Sequence, residues 1–221
     1  MPVMRQHNAS SHSVHVVSVG PYGRAVAEYL GALRADVIET TWDFSSAFSA
    51  LDLAPARVRV VAAWRPVPLL CRWLDDCGRR RGETLIPLIL DCTLLQLGPV
   101  MIPPHSPCWD CHVRRSLQHS SYPLAQTAVW EFYDRHTDLG PRGFLEPFAT
   151  IGASMVAQTI DTMDTSRVLP GYIRQIDLLS RNTTTGRTIG VDACVRCGRG
   201  RSAVERSSSD LKADLEFLWA K

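Results

Sequence analysis

The sequence predicts a doubly wound α/β domain in which strands and helices alternate along the chain. Three observations predict it. Short β-branched or apolar runs recur between segments whose apolar residues fall at helical spacing. The first of these runs passes straight into a glycine turn and a helix. The fourth, Leu85 to Leu90, is apolar throughout, as expected of a parallel strand covered on both faces. With 221 residues, 45% of them hydrophobic and 21% charged, the chain can bury a sizeable core, which excludes global disorder.

Taken in order, residues 1–13 read as a flexible polar N-terminus leading into the first strand, Val14 to Val19. Gly20-Pro21-Tyr22-Gly23 makes the turn, and Ala25, Val26, Tyr29, Leu30 and Leu33 predict the first helix. Ala35 to Ile38 predicts a second strand and Phe44 to Leu51 a second helix. Arg57 to Ala62 is the third strand. Pro68 to Cys77 predicts the third helix, followed by Arg79, Arg80 and Arg81, which suit its dipole. After Asp91 the alternation breaks. Gln96 to Ile102 predicts a turn and a strand, and residues 118–142 carry only a weak helical signal around Ala128 to Tyr133. Phe144 to Met163 predicts a long helix with an apolar stripe through Ala153, Val156 and Ile160. Tyr172 to Leu179 and Arg187 to Val191, joined across Asn182 to Gly186, predict a hairpin. Residues 202–209 read as a polar linker. Residues 210–221 predict a C-terminal amphipathic helix capped by Asp210, with Leu211, Leu215, Leu218 and Trp219 on one face.

Composition excludes several function classes. No apolar run approaches the roughly 18–20 residues of a membrane span, and no basic start leads into an apolar stretch as in a secretory signal. The balance of 24 basic against 22 acidic residues, a net charge of +2, is too small to imply a nucleic-acid partner. Seven cysteines is an odd number, so complete internal pairing is impossible, and a reduced, cytoplasmic setting is expected. Cys71, Cys77 and Cys92 sit singly in apolar stretches and read as buried packing.

The strongest chemical signal is a pair of Cys-x-x-Cys motifs, Cys108/Cys111 and Cys194/Cys197. The gap between them is too long for a compact zinc finger, yet it suits two knuckles that a fold brings together. Four thiolates satisfy the tetrahedral preference of zinc and leave no open position, which makes such a site structural. A redox dithiol, two disulfides or unrelated cysteines are the alternatives. A turn-forming residue beside each pair, Pro107 and Gly198, favours metal. His105 and His112 flank the first pair as spare ligands.

Gly20 and Gly23 stand where a nucleotide phosphate loop would stand, with the helix N-terminus behind them to favour an anion. The loop is incomplete: Ser18 and Val26 occupy the positions of its other glycines. Asp36 and Glu39 fall near the place of a ribose-binding carboxylate. A plain strand-to-helix turn is as good a reading as a vestigial nucleotide loop. The arginine clusters Arg79 to Arg81 and Arg196 to Arg201 read as solvated faces, or as contacts for phosphate or an acidic peptide.

Val19-Gly20-Pro21-Tyr22-Gly23, then Gly98-Pro99-Val100 leading to Ser106-Pro107-Cys108-Trp109-Asp110-Cys111 with Arg114-Arg115 behind, and finally Asp192-Ala193-Cys194-Val195-Arg196-Cys197, form a recognisable series. It resembles the ThiF-like adenylation superfamily, and more closely the ThiF-like cyclodehydratase partner proteins of thiazole/oxazole-modified microcin biosynthesis. The resemblance covers about residues 14–198 and implies a Rossmann-like sheet with helices on both faces, a structural zinc and a homodimer. Residues 14–201 would then form the ThiF-like domain with its zinc site. It further implies an auxiliary role beside a YcaO-type enzyme, which uses ATP to close azoline rings on a ribosomal precursor peptide. Family members often carry an N-terminal leader-binding module; this sequence has only a short stretch before its first strand, so this subunit is not expected to bind the leader alone, and its auxiliary role is to engage the leader or activate the enzyme. Adenylating members use a lysine at ATP, whereas the only lysines here are Lys212 and Lys221. ATP chemistry in this subunit is therefore not expected. An active adenylyltransferase acting on a peptide carboxylate, and a zinc-knuckle nucleic-acid binder, are the competing readings.

Overall fold

The computed structural model describes residues 12–44, 47, 51–136, 139–141, 143–165, 168–192 and 194–198. The expected linker 202–209 and the helix 210–221 lie outside the described residues, as does most of the N-terminal lead-in.

Four parallel strands form one half of the sheet: β1 (His12–Val19), β2 (Val37–Trp42), β3 (Ala56–Ala63) and β4 (Thr84–Asp91). Three antiparallel additions complete it: β5 (Leu94–Leu97), β6 (Tyr172–Asp177) and β7 (Thr183–Arg187). The order across the sheet is β2-β1-β3-β4-β5-β6-β7. The helices are α1 (Gly20–Leu33), α2 (Pro68–Arg81), α3 (Trp109–His119), α4 (Pro123–Arg135) and α5 (Glu146–Asp164).

The valine-rich strands feed two cores because successive side chains point to opposite faces. Val14 and Val16 of β1 join Val58, Val60, Ile86 and Leu88 beneath α1 and α5. Val17 and Val19 join Val61, Leu85 and Ile89 beneath Leu70 and Leu74 of α2 and Trp109 of α3. Helix α2 opens on Pro68 and closes at Gly82, whose φ of 71° is the left-handed conformation that glycine adopts freely.

The structure moves several boundaries. The second strand runs Val37–Trp42, later than Ala35 to Ile38. Phe44 has a φ of 66°, which cannot start a right-handed helix, so Phe44 to Leu51 does not begin as expected; most of that stretch lies outside the described residues. The strand expected within Gln96 to Ile102 is β5, which begins two residues earlier and stops at a cis Gly98–Pro99 bond. Helix α3 is unanticipated and α4 was only faintly signalled, because α3 buries just Trp109, Cys111 and His112 and α4 buries nothing. Neither carries a stripe long enough to read. The partner of β6 is residues 183–187, where a connecting loop was expected. Cys71 and Cys77 are core residues, but Cys92 is exposed in the tight β4–β5 link at a φ of 54°.

Candidate functional site

The four paired cysteines converge. Cys108 sits at the N-cap of α3 in extended conformation, and Cys111 lies in the first turn of that helix. Cys194 begins a turn closed by the Gly198 N–H donating to the Cys194 carbonyl at 2.8 Å. The thiol-to-thiol distances are 3.7 Å for Cys108–Cys111, 3.6 Å for Cys108–Cys194 and 3.5 Å for Cys111–Cys197. All four sulfurs lie within 4.8 Å of one another. A tetrahedron with metal–sulfur bonds of about 2.3 Å has sulfurs about 3.8 Å apart, whereas a disulfide needs about 2.05 Å. The donor set and spacing therefore fit a closed, tetrahedral, thiolate-bound metal, and among the described residues this is the only such cluster.

Electrostatics at the cluster favour an added cation. Hydrogen bonds from Cys108 and Cys111 pull the Cys197 thiol down to about 3, while those from Cys108 and Cys197, with burial, push Cys111 far above the usual thiol range. Four thiolates at this spacing need a divalent ion between them. The Val191 N–H donates to Cys111 Sγ at 3.4 Å, and the N-terminus of α3 adds its partial positive charge.

An ionic network pins the two pairs to α2. Arg196, between Cys194 and Cys197, donates to Asp110 at 2.7 Å and to Asp76, and lies 3.6 Å from Asp75. Asp75 is 1% exposed and accepts from Arg79 at 3.0 Å and from the Trp109 backbone N–H at 2.9 Å. Burial raises the Asp75 carboxyl, and Arg79, the Trp109 N–H and Arg196 oppose that shift. Arg79 also donates to the carbonyls of Ser106 and Pro107, just before Cys108. Two of the arginines read as solvated are thus internal ties. Arg80 reaches Cys77 Sγ and Arg81 the Leu53 carbonyl. Residues 199–201 of the second cluster lie outside the described residues.

The spare histidines do not join the cluster. His112 is buried with Nδ1 3.1 Å from the Thr188 hydroxyl, and burial pushes its pKa down to about 4. Sequence reading missed Asp75. Its signal was available in the Asp75/Arg79 spacing, an i,i+4 pair beside an otherwise apolar helical face.

At the carboxyl ends of β1 and β3, where doubly wound folds bind nucleotides, two of the chain's own side chains, Trp64 and Arg65, crowd the described residues. Gly20 has a φ of 69°, and a Cβ there would lie 2.4 Å from two atoms of the Trp64 indole. On the other side, a Cβ on Gly140 would lie 2.6 Å from the same ring. Beside it Arg65, 1% exposed, lies 5.1 Å from the Phe44 ring, 5.4 Å from Trp64 and 4.6 Å from Tyr133. Gly23 serves helix packing, since a Cβ there would meet the Ala62 carbonyl at 2.3 Å. Asp36 precedes β2 and pairs with Arg34; Glu39 is mid-strand and accepts from Ser18 at 2.5 Å. Neither carboxylate stands at the carboxyl edge. Among the described residues, Trp64 and Arg65 crowd the turn that a nucleotide phosphate would approach.

No family model matches the chain, and no curated protein matches its sequence. Solved structures do share its fold. The heterocyclase TruD superposes with a TM-score of 0.60 at 15% identity, covering 85% of this chain and 27% of that one. A chain of the E. coli microcin synthetase McbBCD complex gives 0.60 at 11% identity, covering 85% and 70%. E. coli MccB gives 0.56 at 12% identity, covering 86% and 66%. This chain thus spans about a quarter of the heterocyclase and about two thirds of the two E. coli chains.

Proposed function

We propose that this chain is a non-catalytic, auxiliary subunit of a YcaO-type cyclodehydratase complex that forms azoline rings on a ribosomal precursor peptide. Its fold is shared by chains from a heterocyclase and a microcin synthetase, which supports a setting in peptide heterocycle formation. The observation that carries the auxiliary role is the Trp64 indole held between Gly20 and Gly140 where an adenylating enzyme would need its nucleotide. The absence of any lysine before Lys212 points the same way. Azoline formation is then the work of the ATP-using partner, and this subunit engages the peptide or activates that enzyme.

The chain holds one structural zinc on Cys108, Cys111, Cys194 and Cys197. When bound, the metal supplies four-point cross-linking and no open coordination site. The chain's own residues prepare that site. Pro107 and the N-terminus of α3 orient the first pair, and Arg196 and Asp110 hold the second pair against it. A homodimer, implied by the resemblance of the sequence, in the reduced, cytoplasmic setting expected from its cysteines, completes the reading.

Reconstitution tests it. The protein is purified with the candidate YcaO-type enzyme and precursor, and ring formation is followed as an 18 Da loss per ring by mass spectrometry. Stimulation by this protein, with no ATP–pyrophosphate exchange by this protein alone, is the expected result. Robust exchange by the isolated chain would instead establish the adenylyltransferase reading.

A further inference from the structure

Two cavities, of about 580 and 360 Å³, meet on the face of β5–β7 beside α3 and α4. They share Gln96, His112, Ser116, His119 and Gln175, and so form one trough. Its floor is a polar ladder: Gln96, Gln175 and Thr184 are in register on three neighbouring strands. The Gln175 amide donates to Gln96 at 2.7 Å and its oxygen accepts from Thr184 at 3.4 Å. Each glutamine keeps a further N–H and a further lone pair for another molecule.

One wall is the edge strand itself. Thr184 through Ile189 line the trough without a break. A strand turns only alternate side chains to one face, so an unbroken run means that the trough follows the backbone edge of β7. Among the described residues no strand pairs with that edge. The opposite wall presents Arg115 and His119 of α3. The Arg115 Nε is buried without a partner, its other nitrogens being engaged by Gln118 and the Gly190 carbonyl. The far end is lined by Val67, Ile89, Trp130 and Trp109, with Asp91 as its one carboxylate. Trp109 is 7% exposed, and its indole N–H is likewise a buried donor without an acceptor.

These features converge on one class of ligand. An open strand edge and a ladder of amides satisfy an extended backbone, the Arg115 and His119 wall favours acidic side chains, and the Trp109 end takes an apolar one. We propose that the trough binds an extended, acidic peptide segment as an added strand along β7, with an apolar residue seated against Trp109. This deepens the peptide-maturation reading, on which its biological meaning rests, by giving the subunit a peptide contact of its own.

The test uses the full-length protein and needs neither enzyme nor precursor. A phage-displayed library of random 12-residue peptides is selected on it, and the enriched sequence is synthesised with a fluorescein label. Enrichment of Asp or Glu beside an apolar residue is expected. Ser116→Phe, which fills the middle of the trough, and Arg115→Ala each weaken binding by about tenfold or more, about 1.4 kcal/mol, at unchanged melting temperature and zinc content. Where either variant melts early, a photo-crosslinking residue at Thr185 decides, and the labelled peptide must be its main adduct. No enrichment, equal binding by well-folded Ser116→Phe, or a Thr185 crosslink to a second copy of this chain overturns the proposal. Failure here leaves the heterocyclase reading standing, and failed ring formation leaves this result untouched.

Discussion

At the scale of single residues, Gly20 is fixed by two separate demands. Its φ of 69° is costly for any side chain, and the Trp64 ring leaves no room for a Cβ. Gly20→Ala is expected to lose about 1–3 kcal/mol in urea unfolding. Gly31→Ala, where an added Cβ meets nothing, is the control and should be neutral or slightly stabilising. Had Gly20 been kept for a nucleotide, the Ala variant would lose binding and little stability. His15 makes a second residue-scale prediction. Its Nε2 lies 2.9 Å from the Thr40 hydroxyl and its Nδ1 faces Arg59, which is ion-paired with Glu83 at 2.8 Å. Burial, then the Arg59 charge, lowers its pKa from 6.5 to about 4. The unfolded chain therefore binds the proton that the folded one refuses, so stability falls as pH drops from about 6.5 towards 4. Asp134 works in the opposite sense, since burial raises its carboxyl to about 6. The contribution of His15 is thus read as a difference: His15→Gln should unfold with a shallower acid limb than the wild type over that window.

At the scale of elements, legibility follows burial. The strands β1, β3 and β4 and the helices α1, α2 and α5 each carry an apolar pattern because each is covered, and the sequence announces them within a few residues. Helix α4 buries nothing and α3 only its first turn, so neither pattern reaches the length at which periodicity is readable. Strand β7, Thr183–Arg187, is mostly polar because it is an edge, and threonine with glycine in such a run looks like a turn. The cysteine pairs were legible for the opposite reason, since the Cys-x-x-Cys spacing is local even when the partners are distant. What spacing does not reveal is how the second pair is held, because Asp75, Arg79 and Arg196 meet only through the fold. Removing Arg196 leaves Asp75 buried with one counter-charge fewer. Arg196→Ala should cost about 3 kcal/mol and release the proposed zinc faster to a chelator, with all four thiols intact. Arg196→Lys, which restores charge without the forked geometry, should recover part of the stability and less of the metal retention.

At the scale of the whole molecule, two large cores on the two faces of the sheet hold β1 to β5 with α1, α2 and α5, while the cysteine cluster is a small third unit. That third unit joins the start of α3 to the segment after β7, and so closes a loop that spans α4, α5, β6 and β7. Closing a loop of that length costs chain entropy, which a metal bond set offsets more firmly than surface ion pairs do. Loss of the proposed zinc should accordingly act locally before globally. Chelation of the purified protein should remove about one zinc per chain and lower the melting temperature by about 10 °C, the equivalent of a few kcal/mol for a domain of this size. Hydrogen exchange should then quicken in α3 and in residues 188–198 first, while β1, β3 and β4 keep their protection, because their apolar contacts do not pass through the cluster. Cys194→Ser should reproduce that pattern without a chelator. Uniform loss of protection across the sheet would make the metal a keystone of the entire fold, and an unchanged exchange profile would leave the four thiols with no structural work to do.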